Sequence, residues 1–212
     1  ESGLARLQAG RWTTYSPAQG FPNRVNDLQR VGDSLWASTS SRGLARIGED
    51  GWQFFGRAEG FTEDLIFALT LIPQADGRPV LWAGSHDSGV LRIDVGDPQK
   101  PRVITSPALP TPPDRFVYEI VPDGRGNLFL GSNYGAALWQ PKEGGGYTAT
   151  DYHRIDGLPH DEANYGALQV DADNRIWLGT LGGLGVFTPS PVGAAARSPA
   201  PLVVNELTID GK

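Results

Sequence analysis

The feature that most limits what this chain can fold into is a repeat. Leu35-Trp36-Ala37-Ser38-Thr39 recurs as Leu81-Trp82-Ala83-Gly84-Ser85, Leu128-Phe129-Leu130-Gly131-Ser132 and Ile176-Trp177-Leu178-Gly179-Thr180, with the aromatic residue stepping by 46, 47 and 48 positions. A few residues later each copy carries a glycine and a short apolar run, from Gly43-Leu44 to Gly183-Leu184. Gly3-Leu4-Ala5-Arg6-Leu7 is that same element without the part that should precede it. A third marker keeps the phase: Gly20-Phe21-Pro22, Gly60-Phe61-Thr62, the weaker Ala108-Leu109-Pro110, and Gly157-Leu158-Pro159. A period in the forties built of short strands points to β-propeller blades.

Each unit reads as four strands. In the first complete copy they are Val25 to Val31, Leu35 to Thr39, Gly43 to Ile47 and Trp52 to Phe55, joined at Gly-Asp, Asp-Gly and similar corners that accept positive φ. With 28 Gly and 17 Pro, and no long stretch of helical periodicity, the expected fold is all-β. The aromatic residues Trp36, Trp82, Phe129 and Trp177 are expected to fill the gap between neighbouring sheets, while the small residues beside them allow close approach.

Composition then narrows the function. There is no Cys, which excludes thiol catalysis, thiolate metal sites and disulfides, and a formal charge of −6 argues against nucleic acid as the main partner. No apolar run approaches the ~18 residues of a membrane span. His86, His153 and His160 lie at spacings that match no metal motif, so neither a metal nor a cofactor is expected. Ser85-His86-Asp87 has the residue types of a triad, but consecutive residues are not expected to point at one another, which leaves a polar turn. Asp171-Ala172-Asp173-Asn174 lacks the Gly and closing Glu of a calcium loop and reads as a hairpin corner, and Gly144-Gly145-Gly146 as an outer turn.

The W-x-G-[ST]…G-[LV] core with its preceding G-[FL]-P resembles the two-component regulator propeller repeat, found in extracytoplasmic sensor regions of hybrid histidine kinases and some diguanylate cyclases. The resemblance covers residues 1–188: a partial blade at 1–15, then the four repeats. Residues 189–201 read as a linker, and 202–212, with Leu202-Val203-Val204-Asn205-Glu206-Leu207, resemble the first strand of the immunoglobulin-like domain that follows such propellers. Phe129 in place of Trp, Thr62 in place of Pro and Ala108 in place of Gly depart from the pattern. The resemblance implies part of a seven-bladed ring and a periplasmic, non-catalytic sensor that binds a small molecule or oligosaccharide. It also implies a homodimeric receptor, joined to the membrane through a segment elsewhere in it.

In a four-stranded up-and-down blade, the turn between the second and third strands shares one end with the connection to the next blade. The ligand-binding candidates at that mouth are Arg24, Arg42, His86, Asp87, Arg115, Asn133, Tyr134, His160, Asn164 and Tyr165. Two alternatives remain open at this point. One is a propeller hydrolase or lyase with a metal at the channel mouth; the other is a protein-interaction scaffold.

Overall fold

The computed structural model describes residues 3–48, 51–74, 76–105 and 108–188. They form seventeen strands in five antiparallel sheets. The first sheet pairs β1 (Leu4–Gln8) with β2 (Arg11–Tyr15). The second runs β3 (Val25–Val31), β4 (Ser34–Thr39), β5 (Leu44–Gly48), β6 (Gly51–Phe55), on the four segments expected from the repeat. The third contains β7 (Ile66–Leu71), β8 (Val80–Ser85), β9 (Val90–Asp94) and the short β10 (Arg102–Val103). The fourth holds β11 (Val117–Pro122), β12 (Leu128–Ser132), β13 (Ala136–Pro141) and β14 (Tyr147–Tyr152). The fifth has β15 (Ala163–Val170), β16 (Ile176–Thr180) and β17 (Gly183–Phe187). The linker and immunoglobulin-like strand expected at 189–212 lie outside the described residues.

Sheets stack face to face, and the repeated aromatic residue of each packs onto the sheet that follows. Trp36 enters a core with Ile66, Leu69, Leu81 and Ile93 of the third sheet. Trp82 does the same against Ile120, Leu128 and Trp139, and Phe129 against Leu168, Ile176 and Leu178. Because both faces are covered, every residue of β8 and β12 is buried, with no polar-apolar alternation. Trp177 departs from the expected core position: no described sheet follows it, so it is only half-buried and its indole Nε1 donates to Asp171 Oδ2 at 2.8 Å.

The hydroxyl that closes each motif has a common task. Thr39, Ser85, Ser132 and Thr180 are buried, and each side chain donates to the carbonyl of the glycine that starts or precedes the next strand, Gly43, Gly89, Gly135 and Gly183, at 2.7 to 3.0 Å. The same oxygens accept from backbone N–H groups inside the turn. This is why the motif ends in Ser or Thr: a buried turn must have its polar backbone satisfied locally. Ser85 is thereby committed to the turn. The expectation that consecutive residues could not meet is wrong for His86 and Asp87, whose Nδ1 and Oδ1 lie 3.1 Å apart, but Ser85 Oγ gives its proton to Gly89.

The glycine-aromatic-proline marker also has a physical origin. Residues Pro17–Gln19, Arg57–Glu59 and Arg154–Asp156 form single 3-10 turns, each ended by a left-handed glycine, Gly20, Gly60 or Gly157. The side chain three residues on (Gln19, Glu59, Asp156) accepts the N–H that opens the turn. In the third repeat Ala108 stands where the glycine would be.

Candidate functional site

Two sets of backbone hydrogen bonds build one end of the molecule. Gly3, Gly43, Gly89 and Gly135 donate to the carbonyls of Asn23, Asp64, Arg115 and Asp161, at 2.6 to 3.2 Å. Ser40, His86, Asn133 and Leu181, each just past its second strand, donate to Arg24, Leu65, Phe116 and Glu162. The turns between second and third strands therefore share an end with the inter-sheet connections. The left-handed Gly43 is required here, because a Cβ would stand 2.2 Å from the Phe55 carbonyl oxygen.

Beneath this rim, the first strand of each of the four later sheets is interrupted by a bulge. Pairing jumps from Val25 to Asp27, from Ile66 to Ala68 and from Val117 to Glu119, leaving Asn26, Phe67 and Tyr118 without a cross-strand partner. In the fifth sheet it jumps from Ala163 to Leu168, freeing a longer segment that contains Tyr165. Bulges re-aim side chains, and these converge. Asn26, Phe67, Tyr118 and Tyr165 line a cavity of about 110 Å³, with Asp27 and Glu119 beside them. The rings of Phe67 and Tyr118 meet edge to face at 5.2 Å, and Tyr165 lies 6.2 Å from Phe67. The Tyr165 hydroxyl reaches the carbonyl oxygens of Asn26 and Phe67, bridging the fifth sheet to the second and third.

Charge and burial set the chemistry. Burial, with smaller contributions from Asp27 and Glu119, pushes the Tyr165 phenol up to about 12, so it remains a protonated donor. Burial also raises the Tyr118 phenol and the Glu119 carboxyl; for Glu119 the Leu168 N–H opposes the shift and the Asp27 charge adds to it. Asp27 accepts from the N–H groups of Leu28 and Leu69, tying β3 to β7.

The sequence candidates divide into three groups. His86, Asn133 and Tyr165 join the aromatic cluster around the small cavity: the His86 ring lies 4.0 Å from Phe116 and 6.3 Å from Phe67, and Asn133 Oδ1 accepts from the Tyr118 hydroxyl at 3.1 Å. Arg24, Asp87 and Arg115 are exposed on the rim. The remaining four point elsewhere. Arg42 lies 3.8 Å over the Phe54 ring, Tyr134 stacks 4.9 Å from His153, His160 Nδ1 accepts from Glu162 N–H, and Asn164 donates to the Thr180 carbonyl. Asn26, Phe67, Tyr118 and Glu119 were missed. Their signal was positional, since each lies one or two residues into the first strand of its repeat, where extra residues shift the phase.

A second, larger cleft of about 830 Å³ opens at the opposite end, between the first two sheets. One face of β1 begins with Leu4, packed on the neighbouring core, and continues with Arg6 and Gln8. Among the described residues, Arg6, Arg30 and Arg46 line the cleft together with one acid, Asp33.

Among the described residues no three His, Asp or Glu side chains gather as a metal-binding group, and no helix is long and apolar enough to cross a membrane. No family model matches the sequence. No curated protein matches it either. Solved structures do. The chain is similar to the extracellular domain assigned to the hybrid two-component system BT3049 of B. thetaiotaomicron, with 18% identity and a TM-score of 0.57 over 84% of this chain and 23% of that one. The extracellular domain of BT4673 from the same organism gives 19% and 0.62, over 87% and 24%. Virginiamycin B lyase from Staphylococcus aureus gives 17% and 0.56, over 86% and 61%. The chain thus spans about a quarter of the two extracellular domains, and at these identities the likeness establishes an all-β, multi-sheet fold.

Proposed function

We propose that the chain is part of a ligand-sensing β-propeller in the extracytoplasmic region of a two-component-type receptor, with its five sheets as blades or parts of blades. The observation that carries this reading is the axial cavity: four successive first strands each break their pairing at the same depth, and the freed side chains line one site. Aromatic faces with a hydroxyl and amides around them suit a carbohydrate-derived ligand, which binds by ring stacking and hydrogen bonds. The likeness to two extracellular receptor domains supports the same reading.

The site does no chemistry on this reading. Tyr165 is a neutral donor, Ser85 is held in its turn, and the metal-dependent alternative would need a ligand group that the described residues do not assemble. Output, whether kinase or cyclase, belongs to other parts of a periplasm-facing, dimeric receptor. Residues 189–201 serve as the linker, and 202–212 as the start of the next domain. A ligand alters signalling only if it binds one arrangement of the receptor better than another.

Isothermal calorimetry against a panel of neutral, amino and acidic oligosaccharides tests the proposal. Saturable binding that Tyr165→Ala weakens at least ten-fold is the expected result, a loss of about 1.4 kcal/mol or more. Absence of saturable binding across the panel removes the sensor reading and leaves the interaction-scaffold alternative.

A further inference from the structure

We infer that the axial cavity receives a positively charged amine, an alkylammonium or the ammonium of an amino sugar, held against the rings of Phe67, Tyr118 and Tyr165 with Asp27 and Glu119 as counter-charges. The inference rests on the ligand-sensing reading and names the chemistry of its ligand.

The lining of the cavity combines three aromatic rings with two carboxylates and, among the described residues, no cationic side chain. Aromatic faces are the negative ends of ring quadrupoles, and they attract a cation most strongly where water is excluded. A neutral sugar would stack on the same rings but would give the two carboxylates nothing to neutralise. An acidic sugar would be repelled by both.

Glu119 is the more telling of the pair. Its Oε2 accepts one long bond, 3.4 Å from Leu168 N–H, and its Oε1 has no donor among the described residues. Its carboxyl titrates above the ordinary range because it is buried and faces Asp27, so its charge lacks compensation that a bound cation would supply. The two phenols titrate upward, so neither adds negative charge to the cavity near neutral pH. Arg24, exposed on the rim, is the cation whose field reaches Tyr165, and it lies outside the lining.

Size agrees. About 110 Å³ holds roughly three or four waters, enough for one small head group rather than a whole oligosaccharide. The rest of the ligand would lie on the rim among His86, Asn133 and Arg115.

The decisive probe is choline, compared by calorimetry at neutral pH with its uncharged isostere in which carbon replaces the quaternary nitrogen. Choline is expected to bind saturably, with the isostere about ten-fold weaker or worse. Glu119→Gln, isosteric and uncharged, should remove most of that preference while leaving the melting temperature near that of the parent. If Glu119→Gln does not fold, the choline and isostere pair on the parent protein still decides. Equal binding of the two overturns the inference. So does tight binding of neutral oligosaccharides that Glu119→Gln leaves unchanged, and in that case the sensor reading survives. Silence from choline, amino sugars and neutral sugars alike overturns both.

Discussion

The third sheet and the first are built from the same repeat, yet their side chains live in different surroundings. In β8 and β9 nearly every residue is buried, and Trp82 is 2% exposed in the core shared with the fourth sheet. In β1 and β2 most residues are exposed, with Trp12 at 68% and Leu7 at 56% on the face turned away from the second sheet. The far end of the stack shows the same contrast, since Leu184 and Val186 on β17 are 58% and 47% exposed. A sheet in this architecture is apolar on both faces, so its stability comes from having a neighbour on each side rather than from its own pairing.

Three measurements would break or sharpen that contrast. The largest effect is expected at Trp82: Trp82→Ala should lower unfolding free energy by about 3–5 kcal/mol, whereas Trp12→Ala should stay within about 0.5 kcal/mol. Chemical denaturation of both variants gives the comparison, and equal losses would show that burial between sheets is not what distinguishes them.

Next come the glycines. Gly43→Ala places a methyl group against the Phe55 carbonyl at a left-handed position and should destabilise by more than about 2 kcal/mol. Gly124→Ala, also left-handed but with nothing within 4 Å, should cost about 1 kcal/mol. Thermal melts that fail to separate the two would mean that the mouth can shift to accommodate the group.

The smallest effect concerns the fifth sheet. Hydrogen bonds from the Trp177 indole, then from the Arg175 backbone and guanidinium, hold the Asp171 carboxyl down to about 2. A carboxyl depressed in the folded state stabilises it above the unfolded value of about 3.9, and that contribution fades as pH falls toward the folded value. Asp171→Asn should therefore melt below the parent at pH 6, with the gap narrowing as acid is added below about pH 4. A gap that stays constant down to pH 2 would show that the carboxylate charge plays no part.

Much of the fold was legible because the repeat reports burial directly. Trp36, Trp82 and Phe129 occupy equivalent inter-sheet positions, and Phe129 avoids an unpaired donor: the indole Nε1 atoms of Trp36 and Trp82 are buried without a hydrogen-bond partner. Trp177 read as the same residue and is not: no described sheet packs on it, so it is half-buried and its indole turns to Asp171. The site was legible only in outline. The turns between second and third strands do share an end with the inter-sheet connections, and His86, Asn133 and Tyr165 lie at or beside the small cavity. Arg42 and Tyr134 did not, since a turn sequence does not reveal that Phe54 and His153 will draw them outward. Phe67 and Tyr118 lie in short, mostly apolar strands, and only the pairing register exposes the bulges that turn them inward.

The rim is held by main-chain atoms, from the Gly43 amide to the Asp64 carbonyl and onward around the stack. Shape and lettering are thus separate. Side chains such as Arg24, Asp87 and Arg115 stand exposed above that frame, so substitutions at the lip should change its charge and shape while the architecture stays constant.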